Sequence, residues 1–136
     1  MIGILVVTHG SIGEALLTSA SQILGSMPPQ VATLSVWRQD DPDDLVLRAR
    51  ELLDGLDAGD GVLVLTDIFG ATPGNVVSRL LQDGRIEGVS GVSLPMLLRV
   101  LTGRMKQGNL AAAVQRALSG GAEGVVHMNS DRCLDG

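Results

Sequence analysis

Aromatic side chains are nearly missing from this chain, which has one Phe (Phe69), one Trp (Trp37) and no Tyr in 136 residues. Proteins that grip single-stranded nucleic acid stack bases on aromatic faces, so that class of ligand is excluded. The core has to be built instead from Val, Leu, Ile, Ala and Met. Cysteine is limited to Cys133 near the C-terminus, which excludes an intrachain disulfide and a cysteine metal cluster. No apolar run approaches the ~20 residues that span a bilayer. The apolar start lacks a basic n-region and a small-residue cleavage site, so a cytoplasmic protein is expected. An excess of basic residues is missing too. The formal net charge is −5, whereas duplex-binding modules draw affinity from neutralising phosphates, and nucleic acid is not expected as a partner. Much of the acid lies between Asp40 and Asp60 and reads as a solvated helix face, while the second half carries Arg85, Arg99, Arg104, Lys106 and Arg116.

What is present is a globular composition, 45% apolar, arranged as alternating strands and helices. Ile2 to Val7 is a continuous apolar run of the kind buried on both faces of a sheet. Ser11 to Leu24 follows as a helix with Ile12, Leu16, Ala20, Ile23 and Leu24 on one face and Gly25 as its stop. Val31 to Val36 reads as a second strand. Asp41-Pro42-Asp43-Asp44 then opens a helix: Asp41 caps, Pro42 suits the first helical position, and the acids favour the positive terminus. Its buried stripe is Leu45, Ala49, Leu52, Leu53 and Leu56. Gly61 to Thr66 is a third strand, and Thr72-Pro73 repeats the cap-plus-proline pattern ahead of a helix through Leu81. A fourth strand is expected over Val89 to Ser93, a short helix from Pro95 to Leu101, a last helix over Leu110 to Leu118 closed by Gly120-Gly121, and a final strand over Gly124 to Met128. This alternation implies an α/β fold: a small doubly wound, mainly parallel sheet of order 2-1-3-4 with helices on both faces.

In such a sheet, reactive groups gather at the carboxyl ends of the strands where strand order reverses. His9 ends the first apolar run and Asp67 ends the third. If those strands are neighbours, the carboxylate accepts a hydrogen bond from one ring nitrogen, fixes the tautomer and leaves the other nitrogen as a nucleophile. The helix starts near Gly10-Ser11 and Thr72-Pro73 offer backbone N–H donors to a phosphoryl group. Gly10, Ser11, Gly70 and Thr72 are therefore phosphate-binding candidates, although Thr72 could equally cap its own helix. Asn75 and Ser93 give no specific signal, and His127 reads as structural. Two histidines without ligand spacing argue against zinc. Phosphate-loop, dinucleotide and serine-elbow motifs are absent. No metal or cofactor is expected.

The opening strand with THG, the segment TDIFGATPGN and the later GVSLPMLLRVL resemble the enzyme IIA domain of the mannose/fructose class of the sugar phosphotransferase system (PTS). The resemblance covers residues 1–128 in order and leaves 129–136 as a polar tail. It implies that His9 accepts a phosphoryl group from the carrier HPr, that Asp67 orients it, and that an EIIB component receives it. The membrane would then be met only indirectly, through a permease complex. It also implies a homodimer in which the segment around Val125 to Met128 is exchanged as an antiparallel edge strand. Two departures stand out: Ile68 where some members carry a hydroxyl, and Thr72 where serine is common. The chain stops eight residues after the last expected strand, which points to a separate EIIB partner or to a regulatory branch with no dedicated permease. The phosphotransfer subunit of a dihydroxyacetone kinase is the nearest rival. THG and the GATPGN turn favour the sugar class.

Overall fold

The computed structural model describes residues 1–106 and 108–131. Its elements run β1 (Gly3–His9), α1 (Ile12–Leu24), β2 (Val31–Val36), α2 (Pro42–Leu56), β3 (Val62–Thr66), α3 (Thr72–Ser78), β4 (Ile86–Ser90), α4 (Leu94–Arg104), α5 (Leu110–Glu123) and α6 (Met128–Asp131). The four strands form one sheet in the order β2-β1-β3-β4, and every adjacent pair is parallel. The expected α/β architecture and strand order are thus what the chain adopts.

The continuous apolar runs are explained by two cores. Ile4 and Val6 of β1, with Leu63 and Leu65 of β3, face a cluster completed by α4 and α5. Leu5, Val7, Val62 and Val64 point the other way, into a cluster completed by α2 and α3. Side chains alternate across a strand, so a sheet covered on both faces needs apolar residues at every position. The α2 onset follows its sequence signals, with the Asp41 carboxylate accepting the Asp43 N–H at 3.0 Å and Pro42 in the first turn.

Several boundaries differ from the sequence reading. Pairing with β3, in the register Val62↔Ile86 to Thr66↔Ser90, places β4 three residues earlier than expected. Ser93 is left to cap α4 by accepting the Met96 N–H at 3.3 Å. Gly120-Gly121 does not close the last helix. A Cβ on Gly120 would lie 3.2 Å from the Met96 Cα, so this glycine permits close packing of α5 on α4, and the helix runs on to Glu123. On α1 the buried positions are Gly13 and Ala20, with Leu16 partly buried; Ile12, Ile23 and Leu24 are exposed.

The expected final strand over Gly124 to Met128 is not formed. Gly124 caps α5, residues 125–127 have no regular structure, and Met128 begins the short α6. A strand satisfies its backbone groups only through a neighbour, and this segment finds none among the described residues. Its backbone bonds are local, Val125 N–H to Ala122 and Ser130 N–H to His127, while Val125 and Met128 are exposed. Of the predicted tail, residues 132–136 lie outside the described residues. No helix among the described residues is long and apolar enough to cross a membrane.

Candidate active site

β1 lies between β2 and β3, at the point where the chain's winding reverses, so the carboxyl ends of all three strands converge on one mouth. His9 is the last residue of β1 and Asp67 directly follows β3. Their pairing is direct: His9 Nδ1 lies 2.8 Å from Asp67 Oδ2. The same oxygen accepts the His9 backbone N–H at 3.0 Å. The other carboxylate oxygen accepts the Ile68 N–H at 3.0 Å. Burial alone would raise the carboxyl pKa, but the His9 N–H and imidazole outweigh it and hold Asp67 below the ordinary value of 3.8. An ionised carboxylate facing Nδ1 makes that nitrogen the donor in the neutral ring. The Nε2 lone pair is then unshared. The His9 side chain is 49% exposed against 13% for Asp67, so the ring faces solvent while its carboxylate partner is sheltered.

The other candidates take varied places. Gly10 has φ +49°, in the left-handed region, and its N–H is spent on the Val36 carbonyl at 2.8 Å. Ser11 precedes α1 and is exposed, but its side chain makes no capping bond. Gly70 is exposed with φ +89° and open space around it. Thr72 is the first residue of α3 rather than its cap, which is Ala71, and it lines the same cleft as His9. Gly74 is required by close approach, since a Cβ there would lie 2.9 Å from the Ile68 carbonyl oxygen in the loop that follows Asp67. Ser93 is engaged as the α4 cap, and His127 Nδ1 meets Ser130 Oγ at 2.8 Å in the C-terminal segment.

Sequence reasoning missed several contributors. Buried Thr8 accepts the Gly13 N–H through Oγ1 at 2.8 Å, so it, and not Ser11, secures the start of α1. Trp37 lays its ring against Gly10 and, with Arg38 and Asp40, forms a turn at the end of β2. His9, Trp37, Arg38, Asp40, Pro42 and Thr72 line an open cleft of about 510 Å³. Parallel pairing of β2 beside β1 is the signal that places residue 37 next to residue 10, because His9 is in register with Val36.

Taken together, the fold and site define a small doubly wound α/β domain with one carboxylate-paired imidazole at the mouth of its sheet. A family model described as PTS system fructose IIA component matches residues 3–118, and the chain belongs to that family. The mannose-specific EIIAB component of Escherichia coli K12 is 33% identical over 125 residues, which is 91% of this chain and 38% of that protein. The chain thus spans well under half the length of that relative. The fructose-specific EIIA component of Bacillus subtilis is 31% identical over 75% of this chain and 70% of its own length. Among solved structures, the EIIA component from Streptococcus agalactiae superposes with a TM-score of 0.85 at 27% identity, covering 96% of this chain and 99% of that one.

Proposed function

We propose that this chain is a phosphocarrier of the phosphoenolpyruvate-dependent sugar phosphotransferase system, accepting a phosphoryl group on His9 from phosphorylated HPr and passing it to a separate EIIB partner. The observation that carries the reading is the 2.8 Å contact between His9 Nδ1 and Asp67, which commits one ring nitrogen and frees the other. In the transfer, the Nε2 lone pair attacks phosphorus in line as the N–P bond to the donor ring breaks. The donor imidazole leaves neutral, keeping its own N–H. The His9 ring keeps its Nδ1 proton and takes on positive charge, which the Asp67 carboxylate stabilises. One N–P bond replaces another, so the driving force is small and positioning does most of the catalysis. Delivery to EIIB is the same step with His9 as the leaving group. Of the sequence candidates, Thr72 lines the cleft and can offer its hydroxyl to the phosphoryl oxygens. Gly10 acts by shape, and Ser11 and Gly70 are exposed and can offer their backbone N–H groups.

Mapping of the protein after incubation with phosphorylated HPr tests this reading. A single acid-labile phosphoryl group on the peptide containing His9 is the expected result; no label, or a label elsewhere, overturns it.

The reading extends to a homodimer formed by exchange of the segment around Val125 to Met128. β4 is the edge of the sheet, and beside it lies a mostly apolar cleft of about 370 Å³ whose lining includes Phe69, Val77, Leu81, Val89 and Leu118. Laying the exposed Val125, Val126 and Met128 of a second copy along that edge would give both surfaces a neighbour. Truncation after Glu123 is expected to convert a dimer to a monomer by light scattering; an unchanged mass refutes the exchange.

A further inference from the structure

We propose that Arg38 is the phosphoryl-binding cation of this site, its guanidinium engaging the phosphoryl oxygens during transfer to His9 Nε2 and in the phosphorylated state. This rests on the reading of His9 as phosphoryl acceptor. A phosphoryl group brings up to about two negative charges into a place already occupied by carboxylates. Asp67 is hydrogen-bonded to the ring and Asp40 lines the cleft. Two of the nearby backbone donors are already committed: Gly10 N–H to Val36 and Gly13 N–H to Thr8. Among the residues lining the cleft with His9, Arg38 carries the positive charge. It is exposed and forms no ion pair with the described residues, so its guanidinium can turn to a ligand without breaking another contact.

Its support is firm. Arg38 is the second residue of a turn closed by Asp40 N–H to the Trp37 carbonyl at 3.0 Å and Trp37 N–H to Asp40 Oδ2 at 2.8 Å. The turn is fastened to the His9 loop by the bond from Gly10 N–H to the Val36 carbonyl at 2.8 Å and by the Trp37 ring against Gly10. A planar guanidinium on such a support matches phosphoryl oxygens two at a time, which an ammonium does not.

Single-turnover phosphoryl uptake by wild type, Arg38→Ala and Arg38→Lys tests the assignment. Two donors are used: phosphorylated HPr over a range of concentrations, and phosphoramidate, a small N–P donor without a protein surface. Loss of a charge-assisted contact predicts that Arg38→Ala lowers the maximal rate from both donors about tenfold to a hundredfold, with Arg38→Lys recovering part. Circular dichroism and the thermal midpoint are expected to match wild type. Wild-type rates in Arg38→Ala overturn the proposal. So does a defect confined to half-saturation by HPr, which would make Arg38 a docking residue for the carrier. A wild type that takes no label from either donor instead removes the His9 reading itself, and this proposal with it.

Discussion

Asp67→Asn is expected to slow phosphoryl uptake from phosphorylated HPr by about a thousandfold, against complete loss in His9→Ala. The carboxylate receives three N–H groups: the His9 backbone and Nδ1 on one oxygen, and the Ile68 backbone on the other. An amide has a single acceptor oxygen, so neither orientation of asparagine serves both sides. With its oxygen toward His9, the NH₂ opposes the Ile68 N–H. With its NH₂ toward His9, it opposes the backbone N–H and reverses the tautomer, moving the proton to Nε2 and removing the nucleophile. Inverting the tautomer of a catalytic histidine by this change costs on the order of 10⁴ in a serine protease. Here the first orientation keeps some molecules competent, hence the smaller figure.

The same substitution is expected to destabilise the fold by about 0.5–1.5 kcal/mol, the net worth of a hydrogen bond lost at a site open to solvent. That loss has a pH signature. The Asp67 pKa is lowered on folding, so its contribution is complete above the unfolded value of 3.8 and disappears as pH falls through the lowered one. Asparagine does not titrate. The gap in urea midpoint between the two proteins should therefore be constant at neutral pH and narrow only in that acid window. A gap that closes near neutrality would show that the carboxylate is not held as described.

The meeting of His9 and Asp67 was legible because one ends a strand and the other directly follows one, and adjacency of strand ends follows from topology. Apolar runs ending in His9 and Asp67, with a crossover between them, leave little freedom in where the side chains meet. The turn at Trp37 to Asp40 was not legible, since no local pattern says that an exposed loop after β2 folds back on Gly10. Thr8 hid for a related reason: buried within an apolar strand, it reads as one more strand residue, although its hydroxyl serves the neighbouring helix. Periodicity misled where it reports a face without its neighbour. Ile23 and Leu24 share a helical side with Ala20, yet only Ala20 reaches the sheet core. Gly120 resembles a helix stop but answers to the surface of α4. The segment after Glu123 has strand-like composition and no ladder among the described residues, so local sequence alone misreads it.

Arg104→Met is expected to destabilise the protein by about 2–4 kcal/mol while leaving phosphoryl uptake per folded molecule unchanged. Read from the sequence, Arg104 is one of several basic residues in the second half; in the fold only 3% of it is exposed. From the last turn of α4, one guanidinium nitrogen donates to the Ile2 carbonyl at 2.8 Å and to that of Gln30 at 3.2 Å, and the other donates to the Pro29 carbonyl. These carbonyls precede β1 and β2, so one side chain ties the helix to the starting edges of two adjacent strands, far from the ends that carry His9. Burial pushes the arginine pKa down, but guanidinium stays protonated at working pH. Nε has no hydrogen-bond partner among the described residues, so even the native arrangement bears a desolvation cost. Methionine keeps the apolar stem and relieves that cost, which is why the expected loss is smaller than three charge-assisted bonds would suggest. It also leaves the Ile2 and Pro29 carbonyls without their donor, while that of Gln30 keeps the Ile4 N–H at 3.0 Å, so the balance remains destabilising. At roughly 4 °C per kcal/mol for a domain of this size, the thermal midpoint should fall by about 8–16 °C. Arg104→Lys should fall between, because an ammonium in that space cannot span carbonyls on two strands. A methionine variant as stable as wild type would mean that the carbonyls find other donors, and that the packing of α4 on the sheet does not depend on this arginine.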